Sequence, residues 1–431
     1  MELASLGELA FESKVRASDV PDTGLRVYGV DRTDGLTPDA KYTSKELSRY
    51  KVLRPGMFAY NPMRLNIGSI AACTDKHAVG LVSPDYVVFG CKPGALDPGF
   101  LDYAIKGPEW RRWTNAAGVG SVRVRIYFRE LAKMPMTVPP LAEQKAIAAV
   151  LGALDDKIEL NRRMNATLEA MARALFQSWF VDFDPVRAKL DPDRSGPSPA
   201  LDPATAALFP DSFQDSELGH IPKGWRVTTV GDTCQAVFSG GTPSTQEASY
   251  WGGEIPWLSS GETRSTFIVD TEKTITQAGV EKSSTRVARA GCTVIAGAGQ
   301  GHTRGQTSLL TFESYINQSV VALAANPRVS SDLFLFFDLA RRYDEFRQLS
   351  DSHSSRGSLT TKLLAGVKCV LPPHELVIAF DKAARPLASQ ITANLHQSRT
   401  LATLRDTLLP KLLSGEVSVA GLHDCSHLKI K

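Results

Sequence analysis

The chain repeats itself, and that repeat restricts its fold more than any other property of its sequence. Pro139-Pro140 and Pro372-Pro373 lie 233 residues apart. Further matches keep that offset without a gap: Leu131-Ala132 with Leu364-Ala365, Leu154 with Leu387, Ile158 with Ile391, Asn161 with Asn394, Thr167-Leu168 with Thr400-Leu401, and Leu175 with Leu408. Upstream, "LRPGMFAY" from Leu53 echoes "VARAGCTVIA" from Val287, and "GVGSVRVRIYFRELAKMPMTVPP" echoes "SSRGSLTTKLLAGVKCVLPP" with a small insertion. Several matches in order at one offset imply duplication, so the fold must contain one supersecondary plan twice. A length of 431 residues already exceeds what one ordinary core accommodates.

Each copy reads as a variable segment followed by a rod. After the double prolines, Ile147, Leu154, Asn161, Leu168 and Leu175 recur every seven residues, with Leu151, Ile158, Asn165, Ala172 and Trp179 as the companion row. The second rod repeats this with Phe380, Leu387, Asn394, Leu401 and Leu408, beside Ala384, Ile391, Ser398, Arg405 and Leu412. Alternating spacings of three and four held over this span describe a coiled-coil seam. A helix of roughly 40 residues is about 60 Å long at 1.5 Å per residue. Pro386 is expected to kink the second rod, because its ring clashes with the preceding turn and it lacks an amide hydrogen. Two core helices in separate domains are the plainer alternative. Length and shared register favour a pair, antiparallel so that the connector between the copies stays short, with β-rich domains at opposite ends of an approximate two-fold. Asn161 and Asn394, polar at seam positions, are expected to set the register.

The fold class expected is therefore α+β, two β-rich domains separated by two long antiparallel coiled-coil helices in a pseudo-two-fold internal repeat. The divisions are a first β-rich domain over 1–138, a helix over 139–183, a connector over 184–222, a second β-rich domain over 223–371, a helix over 372–416 and a tail over 417–431. The variable segments carry short apolar runs such as "DYVVFGC" and "GCTVIAG" broken by turn residues. "DLFLFFDLARRYDEFRQLS" is periodic enough for one helix. The connector, rich in Pro, Asp and Ser, reads as irregular and partly extended.

Chemistry is sparse. The six cysteines are scattered with no CxxC pair, which speaks against structural zinc and disulfides and fits a reducing cytoplasm. No run of about 18 apolar residues occurs, and the first residues lack a signal-peptide order. "YNPM" from Tyr60 falls short of the NPPY tetrapeptide of amino-methyltransferases. "GAGQGHTRG" from Gly297 matches neither GxGxxG nor a Walker loop. No acid–base or metal constellation stands out, so the chain is expected to catalyse nothing and to bind no metal or cofactor of its own. Duplicated, diverged domains on a spacer suit the reading of two different DNA half-sites, whose separation follows the helical repeat of about 34 Å.

The stretches "PPLAEQKAIAAVLGALDDKIELNRRMNATLEAMARALFQSWFVDFDPV", "LFPDSFQDSELGHIPKGW" and "LRDTLLPKLLSGEV" carry a resemblance that covers essentially the whole chain. It resembles the specificity subunits of type I restriction-modification systems. The resemblance implies two target-recognition domains, each reading half of a bipartite site in double-stranded DNA. It implies helices that set the spacer and dock modification (methyltransferase) subunits, and a restriction subunit with motor and nuclease. S-adenosylmethionine, ATP and Mg would then sit on those partners. A DNA methyltransferase chain and a coiled-coil adaptor without DNA are the alternatives. The first lacks its cofactor loop and motif, and the second leaves the duplicated loop-rich domains unused.

Base-contacting residues are chosen by chemistry. Arg suits guanine and phosphate, Asn and Gln suit adenine, and Ser and Thr serve either. In the first domain these are Asn61, Arg64 and Asn66 of "YNPMRLNIGS", and Ser121, Arg123 and Arg125 of "GSVRVRIYF". In the second they are Ser239 and Thr242 of "FSGGTPST", Gln300, His302 and Arg304 of "GAGQGHTRG", and Ser355 and Arg356 of "SHSSRGS". Each of these could instead be a solvated turn residue or an arginine covering its own domain.

Overall fold

The double prolines do end one element and start another. Proline cannot donate to a ladder, but Pro140 and Pro373 offer their carbonyls to the first turn: Gln144 donates to Pro140 at 3.0 Å and Leu376 to Pro373 at 3.0 Å. The helices that follow run over Leu141–Phe180 and His374–Ser414, 40 and 41 residues. Pro386 does not interrupt the second helix. It is exposed, so the carbonyl one turn earlier that loses its amide partner can be met by water. The structure, a computed structural model, describes residues 2–21, 24–32, 35–40, 42–117, 125–191, 201–299, 302–353 and 357–419. No described helix is long and apolar enough to cross a membrane.

The chain divides into two units, and the division cuts both long helices. One unit holds residues up to Glu159 and those from Arg399 on, and the other holds Leu160–Ser398. In the first, a four-stranded antiparallel sheet runs in the order Ala10–Ser13, Val87–Cys91, Met57–Tyr60, Ile70–Ala72. Its core joins Phe58, Phe89, Phe100 and Trp110 to Ile147 and Leu151 of the first long helix and Leu412 of the second. Asp155 accepts from Arg405 at 2.6 Å and from the Tyr103 hydroxyl at 2.7 Å.

In the second unit the sheet runs Cys234–Ser239, Val320–Ala325, Thr293–Ala296, Thr307–Leu310, with Phe267–Ile268 added in parallel. The end of the first long helix packs beside the start of the second around Phe176, Phe180, Phe380 and Ala384. Nearer the middle, Asn394 donates to Asn165 at 2.8 Å and Asn161 to Gln397 at 2.9 Å. Partner numbers fall on one helix as they rise on the other, so within each unit the helices run antiparallel. Asn161 also reaches the backbone carbonyl of Asn394, its own counterpart in the repeat, at 3.4 Å. The Asn161 Oδ1 is buried without a partner among the described residues. A polar layer of this kind costs stability and rewards one register over its neighbours.

The repeat is structural, element by element. Strand Val87–Cys91 matches Val320–Ala325, and Pro135–Val138 matches Lys368–Leu371, each at the 233-residue offset. The last pair close equivalent two-stranded sheets, with Glu2–Ser5 and with Arg226–Thr229. A Cβ added to Gly7 would lie 2.9 Å from the Ala132 Cβ, and one added to Gly231 would lie 3.1 Å from the Ala365 carbonyl oxygen. Ala132 and Ala365 are themselves repeat counterparts, so the same close approach is built twice with the same residue types.

Three expectations change. "DLFLFFDLARRYDEFRQLS" forms two helices, Asp332–Ala340 and Tyr343–His353. The break lies where Arg342 turns inward to Asp338, at 3.0 Å, and to the Lys368 carbonyl, at 2.9 Å. The connector is not irregular where it is described. It holds helices Asp184–Leu190 and Pro203–Ala207 and a hairpin of Phe213–Ser216 with Gly219–Pro222. Phe183 enters it at φ 56°, a left-handed conformation costly for a bulky residue. Its ring is buried edge-on against Trp225 at 5.5 Å, which holds it there.

The third change concerns the seam. Ile147, Leu151, Asn161, Phe380, Ile391 and Asn394 are buried. Leu154, Ile158, Leu168, Leu175, Leu387, Leu401 and Leu408 are only partly so. Toward the end of the first helix Ala172 and Trp179 of the companion row stay buried, and Phe176 and Phe180, outside both rows, join them. A straight helix at 3.6 residues per turn drifts by about 20° per heptad against a strict seven-residue repeat. Here the drift widens the buried face, so that Phe176 and Phe180 meet Phe380 of the partner helix and Phe334 of the domain together.

Candidate nucleic-acid interface

In the first domain the loop between strands Met57–Tyr60 and Ile70–Ala72 is held closed by its own backbone. Asn61 donates to the Ser69 carbonyl at 3.1 Å, and the Asn61 side chain accepts from the Met63 amide at 3.0 Å. Leu65 is the plug, 2 % exposed, and Gly68 at φ 89° lets the chain return. With Leu65 inward, Met63, Arg64, Asn66 and Ile67 point to solvent. The Ile126 amide donates to the Pro62 carbonyl at 2.9 Å, which brings exposed Arg125 beside this loop. Ser121 and Arg123 lie outside the described residues.

Below the loop opens a cleft of about 720 Å³ whose lining includes Arg32, Asn66, His77, Lys106 and Arg111, with Asp102 as its acid. Lys106 is paired to Asp102 at 2.8 Å. Arg32, His77, Lys106 and Arg111 were not singled out from sequence, because they come from separate segments and share no motif.

The second domain builds the same place with different parts. The loop after strand Thr293–Ala296 is the counterpart of that after Met57–Tyr60. The Leu359 amide donates to the Gly297 carbonyl at 2.7 Å, as Ile126 does to Pro62. Gly297 in turn donates to the Ser319 carbonyl at 2.7 Å, and Gly240 to the Asn317 carbonyl at 3.2 Å. Three loops named from sequence thus converge, together with a fourth, Asn317–Ser319, that was not. His302 is exposed and its carbonyl accepts from the Tyr343 hydroxyl at 2.8 Å. Ser239 ends its strand half-buried, and Thr242 bonds to Gln318.

Arg304 has a different occupation from the one expected of a reader. Its side chain is 12 % exposed, paired with Asp351 and donating to the Gly357 carbonyl at 2.7 Å. A guanidinium so held braces the loop and is not presented outward. Gln300, Ser355 and Arg356 lie outside the described residues.

Reactive groups are few among the described residues. No group of three or more His, Cys, Asp or Glu side chains there could hold a metal ion. Burial pushes the thiols of Cys73, Cys234 and Cys292 up to about 11 and those of Cys91 and Cys369 to about 12. All five are free thiols, and at neutral pH they stay protonated and unreactive. In a Cys425→Ser variant, iodoacetamide at pH 7.5 should label none of the five natively and all five in denaturant; rapid native labelling would show that their burial is transient.

A family model for the type I restriction modification DNA specificity domain matches residues 101–170 and 222–376, together more than half of the chain. The HindI type I restriction enzyme specificity subunit of Haemophilus influenzae is 24 % identical over 409 residues, covering 85 % of this chain and 88 % of that one. The MjaIX type I restriction enzyme specificity subunit of Methanocaldococcus jannaschii is 23 % identical over 327 residues, covering 75 % and 70 %. The crystal structure of a type I restriction-modification S subunit from M. genitalium shares the fold at a TM-score of 0.58 and 15 % identity, over 95 % of both chains.

Proposed function

Because the chain belongs to the type I restriction-modification DNA specificity family, we propose that it is the DNA-recognition subunit of such an assembly and catalyses nothing itself. Each β-rich domain reads one half of a bipartite site. The observation that carries this reading is the doubled loop cluster. Two diverged copies of one domain bring equivalent loops together, one displaying Arg64 and Asn66 and the other Thr242, Gln318 and His302. Residues of these types read base edges and phosphates, and their difference suits two different half-sequences.

On this reading the long helices set the number of unread base pairs and offer exposed faces to modification subunits. A restriction subunit completes the assembly, and S-adenosylmethionine, ATP and Mg belong to those partners. Support for the spacer role comes from the helices being continuous across both units. Seven residues inserted opposite each other in both helices add about 10 Å, or about three base pairs. A footprint of the assembled complex should then show the same two half-sites about three base pairs farther apart. Protection of one continuous short site, or half-sites that change sequence, would count against it.

A further inference from the structure

We infer that Gln318 reads a base, an adenine in the major groove, within the half-site bound by the second domain; this rests on the DNA-recognition reading above. Gln318 lies in the turn between strands Ser314–Ile316 and Val320–Ala325. The backbone on either side of it is fixed. Asn317 donates to the Leu258 carbonyl at 3.0 Å, its side chain accepts from the Ser319 amide at 3.0 Å, and Ser319 accepts from Gly297 at 2.7 Å. Asn317 is buried while the Gln318 side chain is exposed. The turn therefore displays one polar side chain at the point where the reading loops converge.

That side chain is held as well as displayed. The Thr242 hydroxyl donates to the Gln318 Oε1 from a loop 76 residues away in sequence. The approach depends on Gly240, where an added Cβ would stand 1.9 Å from the Ile316 carbonyl oxygen. An exposed neutral hydrogen bond adds little to stability, because water competes for both partners. What the bond does supply is orientation, removing in advance much of the rotamer freedom that a long side chain loses on binding. With Thr242 on one lone pair, Oε1 keeps a second, and Nε2 keeps two hydrogens. A carboxamide so held presents the acceptor and donor that pair with the N6 amino group and N7 of adenine. At the 233-residue offset the first domain places Asp85, exposed in the matching turn. Asp85 only accepts when ionised and suits cytosine N4, so the two domains offer different chemistry at one position.

The test uses the chain assembled with its partner subunits and a DNA library randomised across both half-sites, with bound molecules sequenced. The wild type should enrich adenine at one position of one half-site. Gln318→Ala should lower that preference roughly ten- to a hundredfold at that position alone, leaving the other half-site and the spacer unchanged. Gln318→Glu should move the preference toward cytosine, and Thr242→Val should relax the same position by less. Gln318→Ala should also melt with the wild type. The inference is overturned if Gln318→Ala leaves every position unchanged, weakens all sequences equally, or loses selection together with melting temperature. A wild-type complex that selects no bipartite site sinks the recognition reading itself, and this inference with it.

Discussion

Phe380→Ala should cost about 3–5 kcal/mol and carry the unit of Leu160–Ser398 close to unfolding, since a whole domain is typically stable by only about 5–15 kcal/mol. Phe380 is 0 % exposed. Its ring lies 5.4 Å from Phe176, 5.4 Å from Phe180, 5.9 Å from Phe337 and 6.2 Å from Trp179, all in edge-on contact. Four aromatic neighbours from two other helices cannot all collapse into the space left, so the cavity term stays large. The same ring joins the two long helices to each other and to the domain helix Asp332–Ala340, so its loss is felt in all three. Denaturant unfolding followed by tryptophan fluorescence would report it directly, because Trp179 and Trp225 belong to the cluster. Phe380→Leu, which keeps most of the volume, should cost far less. A loss below about 1 kcal/mol for the alanine variant would mean that the cluster repacks freely.

Asp338→Ala should be comparably damaging for a different reason. Asp338 accepts from Arg342 at 3.0 Å and from Arg341 at 2.8 Å, and Arg342 is only 8 % exposed. Burial opposes the Arg342 charge, but the carboxylates of Asp338 and Glu345 outweigh it and leave its pKa above the ordinary arginine value. Removing Asp338 leaves the buried Arg342 cation with only the half-exposed Glu345 at 3.3 Å as counter-charge, at a cost of up to about 3–5 kcal/mol. The second substitution is the discriminating one. Asp338→Ala with Arg342→Met removes the stranded charge and should recover much of the loss in a double-mutant cycle. A double variant no more stable than Asp338→Ala alone would show that shape, not charge, sets the cost.

These two sites divide what the primary structure reveals from what it hides. Phe380 stands on the repeat's seam at a heptad position, and its burial is legible there. Phe176, its neighbour, is off that seam and was not anticipated, because the buried face there widens to take in the domain's Phe334 and Phe337 as well as the partner helix. Arg342 looks, in "DLARRYDEF", like one more solvated helical arginine. Its inward turn depends on the Lys368 carbonyl 26 residues later, which no local window contains. The candidate interface divides in the same way. "GAGQGHTRG" announces a loop, yet Arg304 within it is committed to Asp351 and Gly357.

By itself the sequence determined the duplication, the two helices and their starting points, and the α+β class. These follow from periodicity, prolines and residue spacing, which are local or repeat at one offset; the family was legible only as a resemblance carried by a few stretches. The tertiary structure alone decided which side of each helix is buried at which end. It alone placed four loops from distant segments side by side, and singled out Gln318 over Arg304 as the side chain turned outward. Such choices depend on contacts between residues tens to hundreds of positions apart. Those contacts follow from how the sheet, helices and turns pack, and they leave no pattern along the chain.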